Sequence, residues 1–385
     1  RQTDRQTDRQ TDRQTDRQTD RQTDRRRYDL DILRIILTVL VVIGHASYYT
    51  INTKFGGIHY DQLMQDMRVG DTTFHRVAMY LTDWIYVFHM PAYFCLSGVV
   101  FSMELKRNRY PSVWMLIVTK AKRLLAPMLF VWLVWNIPIK MLAGYYTGMN
   151  HPLLSAVMQM AFPNAVYLWF LEALFCCFVM DYIIIKHIRN QRVQFLIVGV
   201  MALIGLYFYK YTRQIVPLGN PFKWLIWFWL GHSIDNIRKR LSQILKKYCE
   251  SEKIGLIFET VLFVLLYALS FRVLKVQWIL TNTILSFVGV IWIWEFAEFI
   301  NPILRNKWSD KQILNCSADT YGIYLWAEPL NYAALAFAMW KFGISVFGIE
   351  VGAAVIYFVR IFGSLIIAMG ITKGLRKIKF PIRAY

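Results

Sequence analysis

The residues best suited to chemistry lie at the start of the first long apolar stretch, where Asp31-Ile32-Leu33-Arg34 is followed, after ten residues, by His45. On an α-helix Arg34 and His45 lie only about 20° apart around the axis, and Asp31 and Thr38 fall within about 60° of the same line. One edge of this helix therefore carries a carboxylate, a guanidinium, a hydroxyl and an imidazole. The helical rise separates Arg34 from His45 by roughly 16 Å, so Arg34 sits near one membrane boundary and His45 past the midplane. Ionisable groups in an apolar span are costly and usually face a cavity or a partner inside a bundle. Taken singly, Arg34 reads equally as a snorkelling anchor paired with Asp31, and His45 as an interhelical hydrogen bond. Together on one face they predict a lined functional cavity.

The elements that must position this stripe are membrane spans. The chain has 385 residues, 56% hydrophobic and 18% charged, against about 25% charge in soluble domains. Apolar runs long enough to cross a bilayer recur along it, which excludes a soluble α/β enzyme, a disulfide scaffold and a disordered regulator. The fold class expected is an all-α integral membrane protein of about ten transmembrane helices. They run through Leu30–Tyr49, Thr82–Met103, Leu124–Tyr145, Phe162–Ile185, Gln194–Tyr209, Phe222–Ile234, Ile254–Phe271, Trp278–Ile300, Ala318–Trp340 and Phe347–Ile371. Alternate connections hold the clusters Arg25–Arg27, Lys106/Arg107/Arg109, Lys186/Arg189/Arg192, Arg238–Arg240, Arg305/Lys307/Lys311 and the tail Lys373–Arg383. The positive-inside bias therefore puts both termini in the cytoplasm. The net charge of +19 is a matter of topology, and no nucleic-acid partner is expected. The five cysteines show no metal-ligand spacing, so no metal is expected.

Residues 1–24 are six copies of Arg-Gln-Thr-Asp. A period of four without an apolar residue supports neither a helix stripe nor a coiled-coil seam, so residues 1–26 are expected to be disordered. The repeat can be written in codons as AGA CAG ACA GAC, a run of the tetranucleotide AGAC. The hypothesis is a slippage tract that shifts the reading frame, giving phase variation of the kind used for bacterial surface-glycan modifiers. A short tandem duplication without function is the alternative. Residues 27–379 form the membrane domain and 380–385 a cytoplasmic tail.

Asp31-Ile-Leu-Arg34 with His45 resembles the Arg-X10-His signature of the acyltransferase-3 family of integral membrane O-acyltransferases. Phe88-His89-Met90-Pro91-Ala-Tyr-Phe-Cys-Leu-Ser97-Gly98 is similar to that family's second span, and Lys120-Ala-Lys-Arg123-Leu-Leu-Ala-Pro127 to the start of its third. Weaker echoes are Leu168-Trp169-Phe170-Leu171-Glu172 and Ser317-Ala-Asp-Thr-Tyr-Gly322-Ile-Tyr-Leu325. The chain departs from the family in having Lys120 where an arginine is common, which keeps the charge and loses the planar fork. It also has Glu328 where relatives often place a histidine shortly after the Tyr-Leu of the ninth span.

The resemblance implies transfer of an acyl group, usually acetyl, from cytoplasmic acyl-CoA to a hydroxyl of a glycan or lipid-linked sugar. The expected location is the bacterial inner membrane, and the expected acceptor a surface glycan such as lipo-oligosaccharide, O-antigen or capsule. Lys120, Lys122 and Arg123 would meet the CoA phosphates. The pantetheine arm would pass Arg34 and carry the thioester to His45, acting as general base or through an acyl-imidazole. His89, at a similar depth, would orient the base or bind the sugar, or else is an interfacial histidine bonded to a carbonyl. Glu172 would bind acceptor hydroxyls or balance Arg360, and Glu328 would replace the missing histidine or cap a bend. Pro91 and Ser97-Gly98 would open and thin the second span. Trp224, Trp227 and Trp229 read as an interfacial belt, with sugar stacking as the second reading. The rival class is a transporter or flippase of lipid-linked sugars using the same polar cavity.

Overall fold

A computed structural model describes residues 27–59, 72–161, 167–211, 219–246, 252–270, 279–342 and 348–377. The Arg-Gln-Thr-Asp repeat and the tail 380–385 lie outside the described residues. The described chain is almost wholly helical. The helices are α1 Tyr28–His45, α2 Thr73–Lys106, α3 Val113–Leu142, α4 Pro152–Ala161, α5 Trp169–His187 and α6 Gln191–Tyr211, then α7 Gly219–Leu230, α8 Ile234–Lys246, α9 Glu252–Ala268, α10 Ile279–Lys307, α11 Asp310–Phe342 and α12 Ile349–Lys377.

Each expected span overlaps a helix, yet among the described residues five helices, α2, α3, α6, α10 and α12, are long and apolar enough to cross a membrane. The difference has two physical sources. Helices α7 and α9 have only 12 and 17 residues. Helices α1, α5 and α11 are instead broken in composition by Asp31, Asp181, Asp319 and Glu328, which are buried inside the bundle. The amphipathic helix α8 and the short α4 had no counterpart in the expected set.

Between α1 and α2 lies a hairpin, β1 Thr50–Thr53 with antiparallel β2 Gly56–His59, closed by Lys54-Phe55. Gly56 has φ +131°, and a Cβ there would lie 2.6 Å from the Tyr145 carbonyl. The Gly57 amide donates to that same carbonyl at 2.8 Å, which pins the hairpin to the end of α3.

Helix α1 is central and packs on α2, α10, α11 and α12, while α7 lies against α2, α5 and α6. The α2–α7 crossing is very close. A Cβ on Gly98 would meet the Phe228 carbonyl oxygen at 1.9 Å, and one on Gly231 the Cys95 carbonyl oxygen at 2.4 Å. Gly98 thins α2 as its sequence context suggested, since small residues let backbones touch.

Proline shapes three of the helices around the stripe. A proline lacks the N–H that would bond the carbonyl four residues earlier. In each case a hydroxyl from another helix, or from the turn just before one, supplies the missing donor. Ser286 of α10 donates to Val87 O at 2.6 Å, opposite Pro91. Tyr321 of α11 donates to Arg123 O at 2.9 Å, opposite Pro127. Tyr167, just before α5, donates to Leu325 O at 2.5 Å, opposite Pro329. Helix α3 is further widened by two π segments, Ala121–Leu125 and Trp132–Asn136.

Candidate active site

A cavity of about 510 Å³ runs along the polar edge of α1. Arg34 and Arg123 line one end, and His45, His89, Tyr48 and Tyr86 the other. The walls between are largely aromatic, with Tyr93, Tyr167, Trp169, Trp224 and Tyr324. The helical register of α1 sets the length between the cationic and imidazole ends at about 16 Å.

Arg34 is held by a small polar network. Ser317 Oγ donates to Asp31 Oδ1 at 2.6 Å and accepts from Arg34 Nη1 at 3.3 Å. Asp31 is 3.8 Å from the guanidinium. Asp31 is buried and does not line the cavity, so it aims Arg34 from behind. Arg123 enters the cavity from the first π segment, a helix distortion common at functional sites.

The two histidines are held alike. His45 Nδ1 bonds Val41 O at 2.8 Å, and His89 Nδ1 bonds Ile85 O at 2.9 Å. A carbonyl only accepts, so Nδ1 carries the proton and Nε2 keeps the lone pair in each neutral ring. Both imidazoles are thus set in the tautomer a general base needs. His89 also stacks on Tyr86, with ring centroids 4.8 Å apart. The end of α1 is fixed by buried Arg360 of α12, which donates to Ala46 O at 2.6 Å, Tyr48 O at 2.7 Å and His45 O at 3.2 Å. A cation on the terminal carbonyls offsets both their lost partners and the helix dipole.

A recess of about 10 Å³ adjoins the cavity at His45 and is lined also by Thr38, Tyr93, Tyr324, Glu328 and Asn331. Tyr332 donates to Glu328 Oε1. Glu328 therefore lies beside His45, although Glu328 follows Trp326-Ala327 on a helix whose sequence departs from the expected pattern.

Other expected site residues lie elsewhere. Lys120 is 3% exposed and bonds Glu104 at 2.7 Å, with its ammonium 3.8 Å from the Phe178 ring centroid. It holds α2, α3 and α5 together outside the cavity. Lys122 is exposed and outside it as well. Glu172 does not line the cavity. Arg360, offered by the sequence as its counter-charge, donates to the carbonyls that end α1. The tryptophan belt divides. Trp224 lines the cavity and stacks on Phe94 at 5.3 Å, Trp227 is core, and Trp229 donates to Gln194 at 3.1 Å. Asp235 bonds Arg27, and His232 bonds Asp181 at 2.7 Å. Arg238 bridges Glu295 and Glu298 at 3.0 and 2.7 Å.

Sequence reasoning missed Tyr93, Tyr167, Tyr321, Tyr324 and Asn331. Tyr93 had a usable signal, since it lies one helical turn after His89 and so on the same face. It bonds Thr38 of the α1 stripe at 2.6 Å. Asn331 stands three residues after Glu328, again on one face. Tyr167 is brought in by tertiary packing and carried no local signal.

A family model described as an acyltransferase domain matches residues 27–373, nearly the whole chain. No curated protein and no solved structure gives a significant match.

Proposed function

The chain belongs to the acyltransferase-3 family, and from that premise we propose a membrane O-acyltransferase that moves an acetyl group from acetyl-CoA to a hydroxyl of a bacterial surface glycan. The observation that carries this reading is the single cavity joining Arg34 and Arg123 to His45 and His89. The positive-inside bias puts the arginine end in the cytoplasm of the inner membrane. The CoA phosphates meet Arg123 there, with exposed Lys122 beside it, while Arg34 steers the pantetheine arm. The roughly 16 Å to His45 suits an extended arm carrying its thioester to the imidazole. The acceptor enters from the opposite, imidazole end, and the aromatic walls at Trp169 and Trp224 offer faces for a sugar ring. His45 Nε2 takes the proton of the attacking hydroxyl, and its oxygen bonds to the thioester carbon. The carbon–sulfur bond breaks, and the CoA thiolate leaves with the proton returned by the imidazolium. A positioned base of this kind contributes about 10² to 10⁴-fold.

The test is mass spectrometry of surface glycans from cells producing wild type, His45→Ala or Arg34→Ala at equal membrane abundance. Wild type should add one acetyl mass per modified sugar, labile to mild alkali, and both variants should lose it. Full modification by His45→Ala would remove the base. Translocated but unmodified glycan in wild type would instead favour a lipid-linked sugar transporter.

A further inference from the structure

The recess behind His45 contains more unpaired polar chemistry than its size suggests. Asn331 is fully buried, and among the described residues neither its amide oxygen nor its amide nitrogen has a hydrogen-bond partner. Glu328 is 8% exposed, and its Oε2 is likewise without a partner. Three orphaned polar atoms in one apolar bundle are costly, because each has lost its water without gaining a partner. Buried polar groups of this kind normally bind an ordered water. The recess volume of about 10 Å³ matches room for about one water, so a single oxygen fits.

We propose that this recess is a seat for one hydroxylic oxygen, and that water held there by Asn331 and Glu328 makes the protein an acyl-CoA hydrolase when no acceptor is present. The proposal rests on the acyl-CoA reading above. The Asn331 amide N–H donates to the oxygen, and its O–H groups point to Glu328 Oε2 and to the Nε2 lone pair of His45. His45 removes one proton as the water oxygen attacks the thioester carbon. The carbon–sulfur bond then breaks, and the imidazolium returns the proton to the CoA thiolate. The products are CoA and acetic acid, which keeps water's second proton until it ionises to acetate in solvent, with no net oxidation. Glu328 does not touch the thioester and acts as a positioning residue, facing the imidazolium with its carboxylate. During glycan transfer the acceptor hydroxyl takes the same seat, so acceptor suppresses hydrolysis.

Membranes containing the full chain are given acetyl-CoA in ¹⁸O-water without glycan acceptor, and released CoA and labelled acetate are followed. Wild type should release both in equal amounts, with one ¹⁸O per acetate, at least tenfold faster than His45→Ala. Two variants close the seat differently. Asn331→Leu removes its polar atoms, and Ala327→Val fills it from the wall, since Ala327 also lines the recess. Each should lower acetate release at least tenfold at wild-type membrane abundance, and Asn331→Ser should restore part of it. Adding acceptor-bearing membranes should divert acetyl to glycan and reduce labelled acetate. Wild-type release no faster than His45→Ala would overturn the proposal, as would undiminished release by either abundant variant. If glycans from the same cells are acetylated while acetate release fails, the transferase reading stands and the water seat alone is lost. If neither appears, the transferase reading itself fails.

Discussion

Gly44 sits beside His45 in the last turn of α1, and replacing it by alanine is a sharp test of how the imidazole end is built. A Cβ there would lie 2.5 Å from Tyr86 Cε1. To reach ordinary contact at 3.4 Å, the Tyr86 ring must move by about 0.9 Å. That ring is stacked on His89 and packed near Tyr48, so His89 shifts with it or loses its support. Intrinsic helix propensity pushes the other way, since alanine stabilises a helix interior by about 1 kcal/mol over glycine. Overpacking costs about 1–3 kcal/mol, so Gly44→Ala should be neutral to about 2 kcal/mol destabilising. Activity is the more sensitive quantity, because a displacement near 1 Å costs on the order of 10²-fold. Gly199 of α6 is the control, since an added Cβ meets nothing within 4 Å and its alanine variant should gain stability and keep activity. Both are read by the thermal midpoint of the detergent-solubilised protein and by acetyl transfer to glycan. Equal activity for the two alanine variants would refute the claim that Gly44 makes room for the Tyr86–His89 stack.

Glu104→Gln removes the carboxylate that buried Lys120 bonds and should cost about 3–5 kcal/mol, measured by the same thermal midpoint. The double variant Glu104→Gln with Lys120→Met should recover most of that loss while retaining glycan acetylation, which an essential phosphate contact at Lys120 would not permit. Tyr167→Phe strips the donor from Leu325 O and should cost about 1–3 kcal/mol. Adding Pro329→Ala supplies a backbone N–H and should make the tyrosine change nearly silent in a double-mutant cycle. Sequencing the Arg-Gln-Thr-Asp tract from many colonies should show lengths differing by multiples of four bases. A constant length, or codons that interrupt the AGAC run, would leave the tract without a switching role.

Much of the site was legible because α1 is a regular helix. Arg34, Thr38 and His45 share an edge by angular arithmetic alone, and the His89–Tyr93 spacing extends that logic to α2. Lys120 illustrates where such arithmetic breaks. At regular helical spacing Lys120 and Arg123 lie about 60° apart and share a face. The π segment beginning at Ala121 changes the angular phase between them, sending Arg123 into the cavity and leaving Lys120 on Glu104. No residue pattern in Lys120–Pro127 signals that wider turn. The partners of Arg360 were unreadable for a different reason, since the carbonyls it binds lie more than 300 positions earlier in the chain. The ten apolar runs were readable as helices, while the buried carboxylates of α1, α5 and α11 lower their apolarity for reasons only the packed bundle reveals.

The proline–hydroxyl pairs have a consequence for biogenesis. The Val87 and Arg123 carbonyls belong to helices made early in translation, and their donors, Ser286 and Tyr321, lie 199 and 198 residues further on. In hydrocarbon an unpaired carbonyl costs several kcal/mol, so α2 and α3 reach the bilayer with debts that only α10 and α11 discharge. The early helices cannot settle as an autonomous half, and must remain with water, the insertion machinery or a provisional partner until the later ones arrive. A ribosome that stops before α10 therefore leaves a fragment marked by its own unsatisfied backbone, a ready target for membrane quality control.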